Sequence, residues 1–462
     1  MEAVKLSGAK VIFAQDFLDH GDFNAYRHGS NTRMAVLVSP YEGAKFTAIP
    51  DYVQGAINGL YTDDPAHGPR TLDWKQFLAM GELFTDTVEA PRDIDRPLVR
   101  CYTSGSTGPS KQVIHSAHTI IGSVHQLNFY GDSSDFRASM LLTNLPPSLV
   151  AVVAAFILMP LASHKMLYLD PFVDPMDVDL EIMRYKPNAW SAIPMFFEIL
   201  MENGRIPDDY DLSHLYAIGL GCEAYNNKQF KRGQKFLRDH NNQAQITVGY
   251  GSSEGGSSLT VPLAYDTPIG NGSIGVPMPL ADMGIFKPGT TQELDYYEVG
   301  EICVSHPGNM VGYDNTKATE NVMKVHDDGK VWLHTGDIGY VNENGVFYAL
   351  TRGSAPRYGY PDKELATLPM ENRLADANIE GIKDEFFVIV PDPEHRHHFL
   401  PFLYIIMEEG YVLTDDLRKQ IMDVLEDYEK PTEIFELPER PFWHYKTNRI
   451  GLTEELRKYN FE

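Results

Sequence analysis

The sequence predicts an α/β protein with two parts. A large domain of layered β-sheets and covering helices includes a small β-barrel-like subdomain, and a smaller α+β domain follows. Three observations carry this expectation. From about Val99 to Tyr250, short apolar runs alternate with helix-like stretches, the rhythm of strands covered by helices. From Ser273 to Leu350 the runs shorten and Gly, Asn and Asp separate them, as around Gly300–Val304 and Gly345–Tyr348, which predicts a small β unit. Then Gly353, Pro356, Gly359 and Pro361 crowd one stretch, the composition of a linker.

Taken in order, Leu98 and Val99 read as part of a strand. Leu149 to Met159 is the longest apolar run and reads as a buried helix or strand, too short to span a bilayer. Met166–Leu169 is a strand, Val178–Tyr185 a helix, and Ala189–Ile193 a strand ended by Pro194. Past the linker, Phe386–Val390 and Phe402–Ile406 read as strands. Thr414 is placed to cap a helix whose Leu417, Ile421 and Leu425 recur at i, i+4 and i+8, a core-facing stripe. The boundaries this implies are 1–351 for the large domain, with 273–351 as its β subdomain, 352–362 for the hinge, and 363–462 for the small domain. A chain of 462 residues has room for two or three such cores.

Composition narrows the function. Hydrophobic residues at 43% and charged residues at 22% are ordinary for a soluble globular protein. The formal charge is −25, from 39 basic and 64 acidic residues, which repels phosphate backbones and argues against a nucleic-acid partner. Cys101, Cys222 and Cys303 are odd in number and widely spaced, so they form neither a disulfide framework nor a zinc site and read as buried small side chains. With no basic-then-apolar leader at the N-terminus and no run long enough to cross a membrane, the expected location is cytoplasmic.

The chemistry concentrates in five segments. Tyr102 to Lys111 is a loop of hydroxyls and glycines ending in a lysine. Glycines let backbone N–H groups converge on an anion, hydroxyls add donors, and the cation balances charge. It is not a G-x-x-x-x-G-K-[ST] loop, since Ser110 stands five residues after Gly105. Gly249, Tyr250, Gly251, Ser252, Ser253 and Glu254 set an aromatic face, hydroxyls and a carboxylate in one loop. An aromatic face stacks on a purine, and a carboxylate holds a divalent cation on phosphate oxygens. Thr335-Gly336-Asp337 reads as a strand end whose carboxylate can accept both ribose hydroxyls, with Arg352 shortly after. Lys446 to Arg449 presents an ammonium able to bridge separated oxyanions. Each piece has a plain alternative: a surface Ser/Gly turn, a solvated loop acid, a turn former, a surface lysine. Their order along the chain is the informative feature.

That order resembles the adenylate-forming superfamily of acyl-CoA synthetases, luciferases and peptide-synthetase adenylation domains. Thr103 to Lys111 is similar to its T-S-G-[ST]-T-G-x-P-K loop. Gly221-Cys222-Glu223-Ala224-Tyr225 is similar to G-G-x-x-L, and Tyr250–Glu254 to Y-G-x-T-E. Thr335–Asp337 matches T-G-D, and Lys446-x-x-Arg449-x-x-Leu452 the pattern around a C-terminal catalytic lysine. The resemblance implies an AMP-binding domain over 1–351 and a mobile lid over 363–462. It implies a carboxylic acid attacking ATP to give an acyl-adenylate, which a thiol of coenzyme A or a carrier-protein pantetheine arm then takes up. Thr103, Ser104, Gly105, Ser106, Thr107, Gly108 and Lys111 would cradle the β,γ-phosphates, with Gly221, Cys222, Glu223 and the Gly249–Ser252 loop around adenine. Ser253 would touch the α-phosphate and Glu254 would hold Mg²⁺. Asp337 and Arg352 would bind the ribose, and Lys446 would bridge carboxylate and phosphate.

Departures from the pattern shape the expected substrate. The segment around Leu6–Ile12 resembles one well inside the family's N-terminal domain, so that domain is expected to be shortened. Leu149 takes the place of a gating histidine, and the absence of an aspartate in Asn144–Leu149 argues against an α-amino acid, whose ammonium would lack a partner. The expected substrate is an apolar or aromatic acid, in the setting of fatty acid metabolism. Ala355 falls near the usual acidic hinge residue, and Gly359 is the candidate tunnel glycine. The Glu394–His398 cluster reads as an exposed polar turn. The alternatives are a stand-alone adenylation enzyme loading a carrier protein and a catalytically impaired nucleotide- or acyl-binding relative.

Overall fold

The structure, a computed structural model, describes residues 8–15, 31–38, 71–85, 93–103, 110–133, 140–169, 175–264, 272–352, 357–395, 397–443 and 446–460. Ser104, Gly105, Ser106, Thr107 and Gly108 of the expected phosphate loop lie outside them, as do Ala355 and Arg396. The chain divides into two units, Met1–Asp93 and Ile94–Glu462.

In the first unit, β1 (Val11–Gln15), β2 (Met34–Val38) and β3 (Thr71–Asp73) form a parallel three-stranded sheet. Helix α1 (Trp74–Glu82) follows at once, because Asp73 caps it: its carboxylate accepts the Gln76 N–H at 2.7 Å while Gln76 reaches back to the Asp73 N–H.

The second unit begins with β4 (Pro97–Tyr102) and β5 (Gln112–Ser116), antiparallel strands that frame the hydroxyl-rich loop, followed by α2 (Ala117–Ser133). Next come β6 (Met140–Thr143), β7 (Met166–Leu169), α3 (Val178–Tyr185), β8 (Ala189–Ala192), α4 (Pro194–Glu202), β9 (Ala217–Leu220), α5 (Asn227–Asp239) and β10 (Ile246–Val248). The five strands form one parallel sheet in the order β10-β9-β8-β6-β7. Parallel strands are covered on both faces, so β6 and β8 are almost wholly buried. Pro194 ends β8 and starts α4, where a missing N–H costs nothing. Trp190, Phe196, Phe197 and Tyr225 fill the core between sheet and helices. The apolar run after Leu149 is helical, and its Val152–Leu158 stretch is wound wider than an α-helix, with the Met159 N–H reaching the Ala154 carbonyl.

A second, antiparallel sheet comprises β11 (Asp282–Phe286), β12 (Gly300–Ser305), β13 (Met323–Val325), β14 (Val331–Val341) and β15 (Phe347–Arg352). Thr335-Gly336-Asp337 was expected at a strand end but lies in the middle of β14. The physical reason is Gly336: at φ +72 it breaks the extended backbone without ending the strand, and the pairing shifts register on both flanks. Part of the expected linker is itself ordered, since Arg357–Gly359 pairs with Lys363–Leu365.

The C-terminal segment packs α6 (Thr367–Ala377), β16 (Ile382–Pro391), β17 (Phe399–Met407), α7 (Asp415–Val424), β18 (Ile434–Leu437) and α8 (Arg449–Asn460). Alternation along β16 divides it cleanly. Phe387 and Ile389 face Met370, Leu374, Leu417 and Ile421, whereas Phe386, Val388 and Val390 face Leu452 and Leu456. Thr414 caps α7 as its sequence predicts, accepting the Leu417 N–H at 3.2 Å. Among the described residues no helix is long and apolar enough to cross a membrane.

Candidate active site

A cavity of about 1670 Å³ opens where the ends of the parallel sheet, the antiparallel sheet and the C-terminal segment meet. It gathers most of the described site residues that the sequence singles out. Lys111 and Glu254 reach it from one side, Asp337 and Arg352 from another. Glu223 and Cys222 line it after β9, Lys446 lines it from the C-terminal segment, and Gly249, Tyr250, Gly251 and Ser252 form a wall after β10. Thr103, Gly221 and Ser253 stand behind that lining. Thr103 closes the base of the hydroxyl-rich loop, its N–H donating to the Lys111 carbonyl and its hydroxyl accepting the Lys111 N–H, both at 3.0 Å. Gly221 extends the strand ladder by donating to the Ala192 carbonyl. The Ser253 carbonyl accepts from His115.

Three carboxylates are held by specific donors. Asp337 accepts from the Tyr250 hydroxyl at 2.7 Å, and Arg352 Nε lies 3.7 Å from its other oxygen. Burial pushes the Asp337 carboxyl up, Arg352 opposes that, and burial with Asp337 alongside pushes the Tyr250 phenol well above its ordinary value. Glu254 accepts from the Tyr313 hydroxyl at 2.7 Å, and its carbonyl accepts the Met310 N–H at 2.7 Å. Glu223 accepts the Thr447 backbone N–H at 3.1 and 3.3 Å, which fixes the neighbouring Lys446 at the cavity.

The Ser253–Glu254 turn is braced from behind. His115 is fully buried, and its Nε2 lies 2.8 Å from the Ser253 carbonyl, so that nitrogen must carry the hydrogen. Burial lowers its pKa, keeping it neutral. Gly256 follows at φ +73, where a Cβ would sit 2.7 Å from the Gly308 carbonyl and 2.8 Å from the Ser123 hydroxyl, so only glycine fits.

The C-terminal segment is docked by polar contacts. The Asn227 N–H donates to Asn372 and its side chain to Asp376, both at 2.9 Å, and Lys231 pairs with Asp376 at 2.8 Å. Arg449, the first residue of α8 and three residues after Lys446, donates to Glu371 at 2.8 Å and to the Phe387 carbonyl.

One expectation needs correcting. Cys222 is exposed, not buried like Cys101 and Cys303, and it takes φ +71 in the turn after β9. Tyr313 and His115 were not singled out, because nothing in a Gly-Tyr dipeptide or a strand histidine marks a residue that supports a distant loop. Glu301, Cys303 and His334 come close enough to share an ion, but their chemistry is that of a brace. Glu301 accepts the His334 Nδ1–H at 2.8 Å and the Gly336 N–H at 3.2 Å, and burial pushes the Cys303 thiol far up, so it stays protonated. In the Glu394–His398 turn, His395 pairs with Asp392 at 2.9 Å and His398 with Asp362 at 2.7 Å, while His397 is exposed.

Comparison with known proteins adds three findings. The sequence model of the AMP-binding enzyme family matches residues 2–314. A probable 4-coumarate–CoA ligase 2 of Dictyostelium discoideum is 28% identical over 292 residues, covering 61% of this chain and 50% of that protein. The chain therefore spans about half the length of the first curated relatives it matches. Among solved structures, the anthranilate CoA ligase AuaEII in complex with anthranoyl-AMP superposes with a TM-score of 0.74 at 16% identity, over 98% of this chain and 79% of that one. The O-succinylbenzoate CoA synthetase of Bacillus subtilis, in complex with ATP and magnesium ion, gives 0.63 at 19% identity, over 96% and 88%.

Proposed function

The chain belongs to the AMP-binding enzyme family, and from that premise we propose that it is an ATP-dependent acid–thiol ligase acting on an apolar or aromatic carboxylic acid. The observation that carries this reading is the convergence of Lys446, Lys111, Glu254 and Asp337 on one cavity from four separate segments. In the first step a carboxylate oxygen attacks the α-phosphorus of ATP, the bond to the bridging oxygen breaks, and pyrophosphate leaves with an acyl-adenylate remaining. In the second, a thiolate attacks the acyl carbon and AMP departs. The acceptor is coenzyme A in this reading, and comparing free CoA with a carrier protein as acceptor separates the two thiol sources.

The residues divide the work by charge. Lys111 and the loop it closes neutralise the β,γ-phosphates, and Lys446 bridges the carboxylate and the α-phosphate, where two anions must meet. Asp337 accepts the ribose hydroxyls with Arg352 beside it. Tyr250, its hydroxyl tied to Asp337, offers a ring plane to adenine, with Glu223 alongside. A carboxylate with one oxygen engaged by Tyr313 has the other to give to a hard cation, so Glu254 suits Mg²⁺, which would supply charge neutralisation on the leaving pyrophosphate. The excess of acidic residues and the free cysteines support a cytoplasmic setting without nucleic-acid partners.

Acid-dependent exchange of labelled pyrophosphate into ATP, run over a panel of aliphatic and aromatic acids, tests the reading. Exchange with at least one acid supports it. Exchange with none would leave only the ligand-binding alternative standing.

A further inference from the structure

Glu254 and Lys111 line the same cavity with opposite charges, and one side chain engages both of them. The Tyr313 hydroxyl donates to Glu254 Oε1 at 2.7 Å, and Lys111 Nζ lies 5.0 Å from the centre of the Tyr313 ring. Among the described residues Glu254 and Lys111 form no ion pair with each other.

Tyr313 is placed with little freedom. Gly312 and Tyr313 pair with Ile114 and Val113 of β5, the strand leading out of the phosphate loop. The Tyr313 N–H donates to the Thr319 hydroxyl at 2.8 Å, and its ring is 8% exposed in a core with Val113, Leu259 and Met310. A carboxylate oxygen can only accept, so the phenol is the donor in its bond to Glu254.

We propose that Tyr313 is a positioning residue of the nucleotide site: its hydroxyl aims the Glu254 carboxylate, and its ring holds Lys111 off that carboxylate. Left to themselves, an ammonium and a carboxylate in one cavity would neutralise each other, and a metal–triphosphate would have to break that pair to bind. A phenol prevents this. It satisfies one carboxylate oxygen without supplying positive charge, and its neutral face attracts the ammonium weakly enough for phosphate to claim it. The inference rests on the nucleotide-binding reading above and adds a role for Tyr313, which lines the same cavity.

Equilibrium binding tests it, with Mn²⁺–ATP and with metal-free ATP as probes. Calorimetry follows the nucleotide, and electron paramagnetic resonance follows free Mn²⁺. Tyr313→Phe keeps the ring and loses the hydroxyl, so it should weaken Mn²⁺–ATP binding by about tenfold or more while changing metal-free ATP by less than about twofold. In a Glu254→Gln background the same substitution should have no further effect on Mn²⁺–ATP, because the carboxylate it aims is gone. Tyr313→Leu should also weaken metal-free ATP. If this variant does not fold, the volume-conserving Phe variant and the double variant decide alone. Unchanged Mn²⁺–ATP binding in Tyr313→Phe, equal losses with and without metal, or additive losses in the double variant overturn the inference and leave the proposed function standing. A wild-type protein that binds neither probe overturns both.

Discussion

Arg440→Met tests how the lysine-bearing segment is held. Arg440 grips Asp384 through two parallel bonds, Nε to Oδ2 at 2.7 Å and Nη2 to Oδ1 at 2.6 Å. Its remaining Nη1 donates to the Thr447 hydroxyl at 2.9 Å, and its plane lies 4.8 Å from the Phe386 ring centre. The two side chains are only 12% and 13% exposed. Methionine keeps the stem and removes the fork, leaving Asp384 as a buried carboxylate without its bidentate partner. Breaking a buried pair from one side costs roughly 3–5 kcal/mol, and urea unfolding at pH 7 should show a loss in that range.

The loss should also depend on pH in a defined direction. Burial alone would raise the Asp384 carboxyl, but Arg440, with smaller help from Arg232 and the Glu385 N–H, outweighs that and holds it below the usual carboxylate range. Its contribution in the wild type is therefore present above the unfolded value of about 3.9 and lost only as pH falls through the lower folded value. In Arg440→Met burial prevails, the carboxyl takes up a proton on folding, and the variant recovers stability as pH falls from 7 toward about 4.5. The gap between the two proteins should narrow over that window. A loss below about 1 kcal/mol at pH 7, or a gap that stays constant with pH, would refute the reasoning.

Three further outcomes are expected. Lys446→Ala should lower pyrophosphate exchange by a factor on the order of 10²–10³ while nucleotide affinity changes by less than about threefold, since its role is confined to the charge developing in the reaction; an unchanged exchange rate removes that role. Asp337→Ala should weaken ATP binding by roughly 10–100-fold, the worth of hydrogen bonds to a charged acceptor, and a calorimetric affinity equal to wild type would end its assignment to the ribose. Glu385 is 2% exposed, with Lys228 3.9 Å away, and burial pushes its carboxyl up to about 8. Because the folded value lies above the unfolded one, the wild type should lose stability as pH rises from about 4 to 8, and Glu385→Gln should flatten that slope; parallel stability curves for the two proteins would count against it.

The parts of this molecule that were legible in its sequence are those set by neighbours in the chain. Pro194 stops a strand and starts a helix, and Thr414 caps the helix that follows it, each through groups within a few residues; the apolar run in β16 marks a strand by its composition alone. The site was legible as a set of segments because glycines, hydroxyls and a terminal lysine recur in a recognisable order. What escaped is the pairing between segments. Tyr250 and Asp337 are 87 residues apart, Tyr313 and Glu254 are 59 apart, and Thr447 and Glu223 are 224 apart. Gly336 was misplaced for a related reason: a glycine after threonine reads as a turn, and only the register of β12 and β15 on either side keeps the strand running through it. These long-range pairs share a logic. Among the acids lining the cavity, Asp337 and Glu254 accept from phenols and Glu223 from a backbone amide, and none of these three uses Lys111 or Lys446 as a counter-ion. Neutral donors, with Arg352 beside Asp337, fix these acids in place and leave the two lysines to meet an anionic substrate, an arrangement that depends on which residues touch and not on which residues are present.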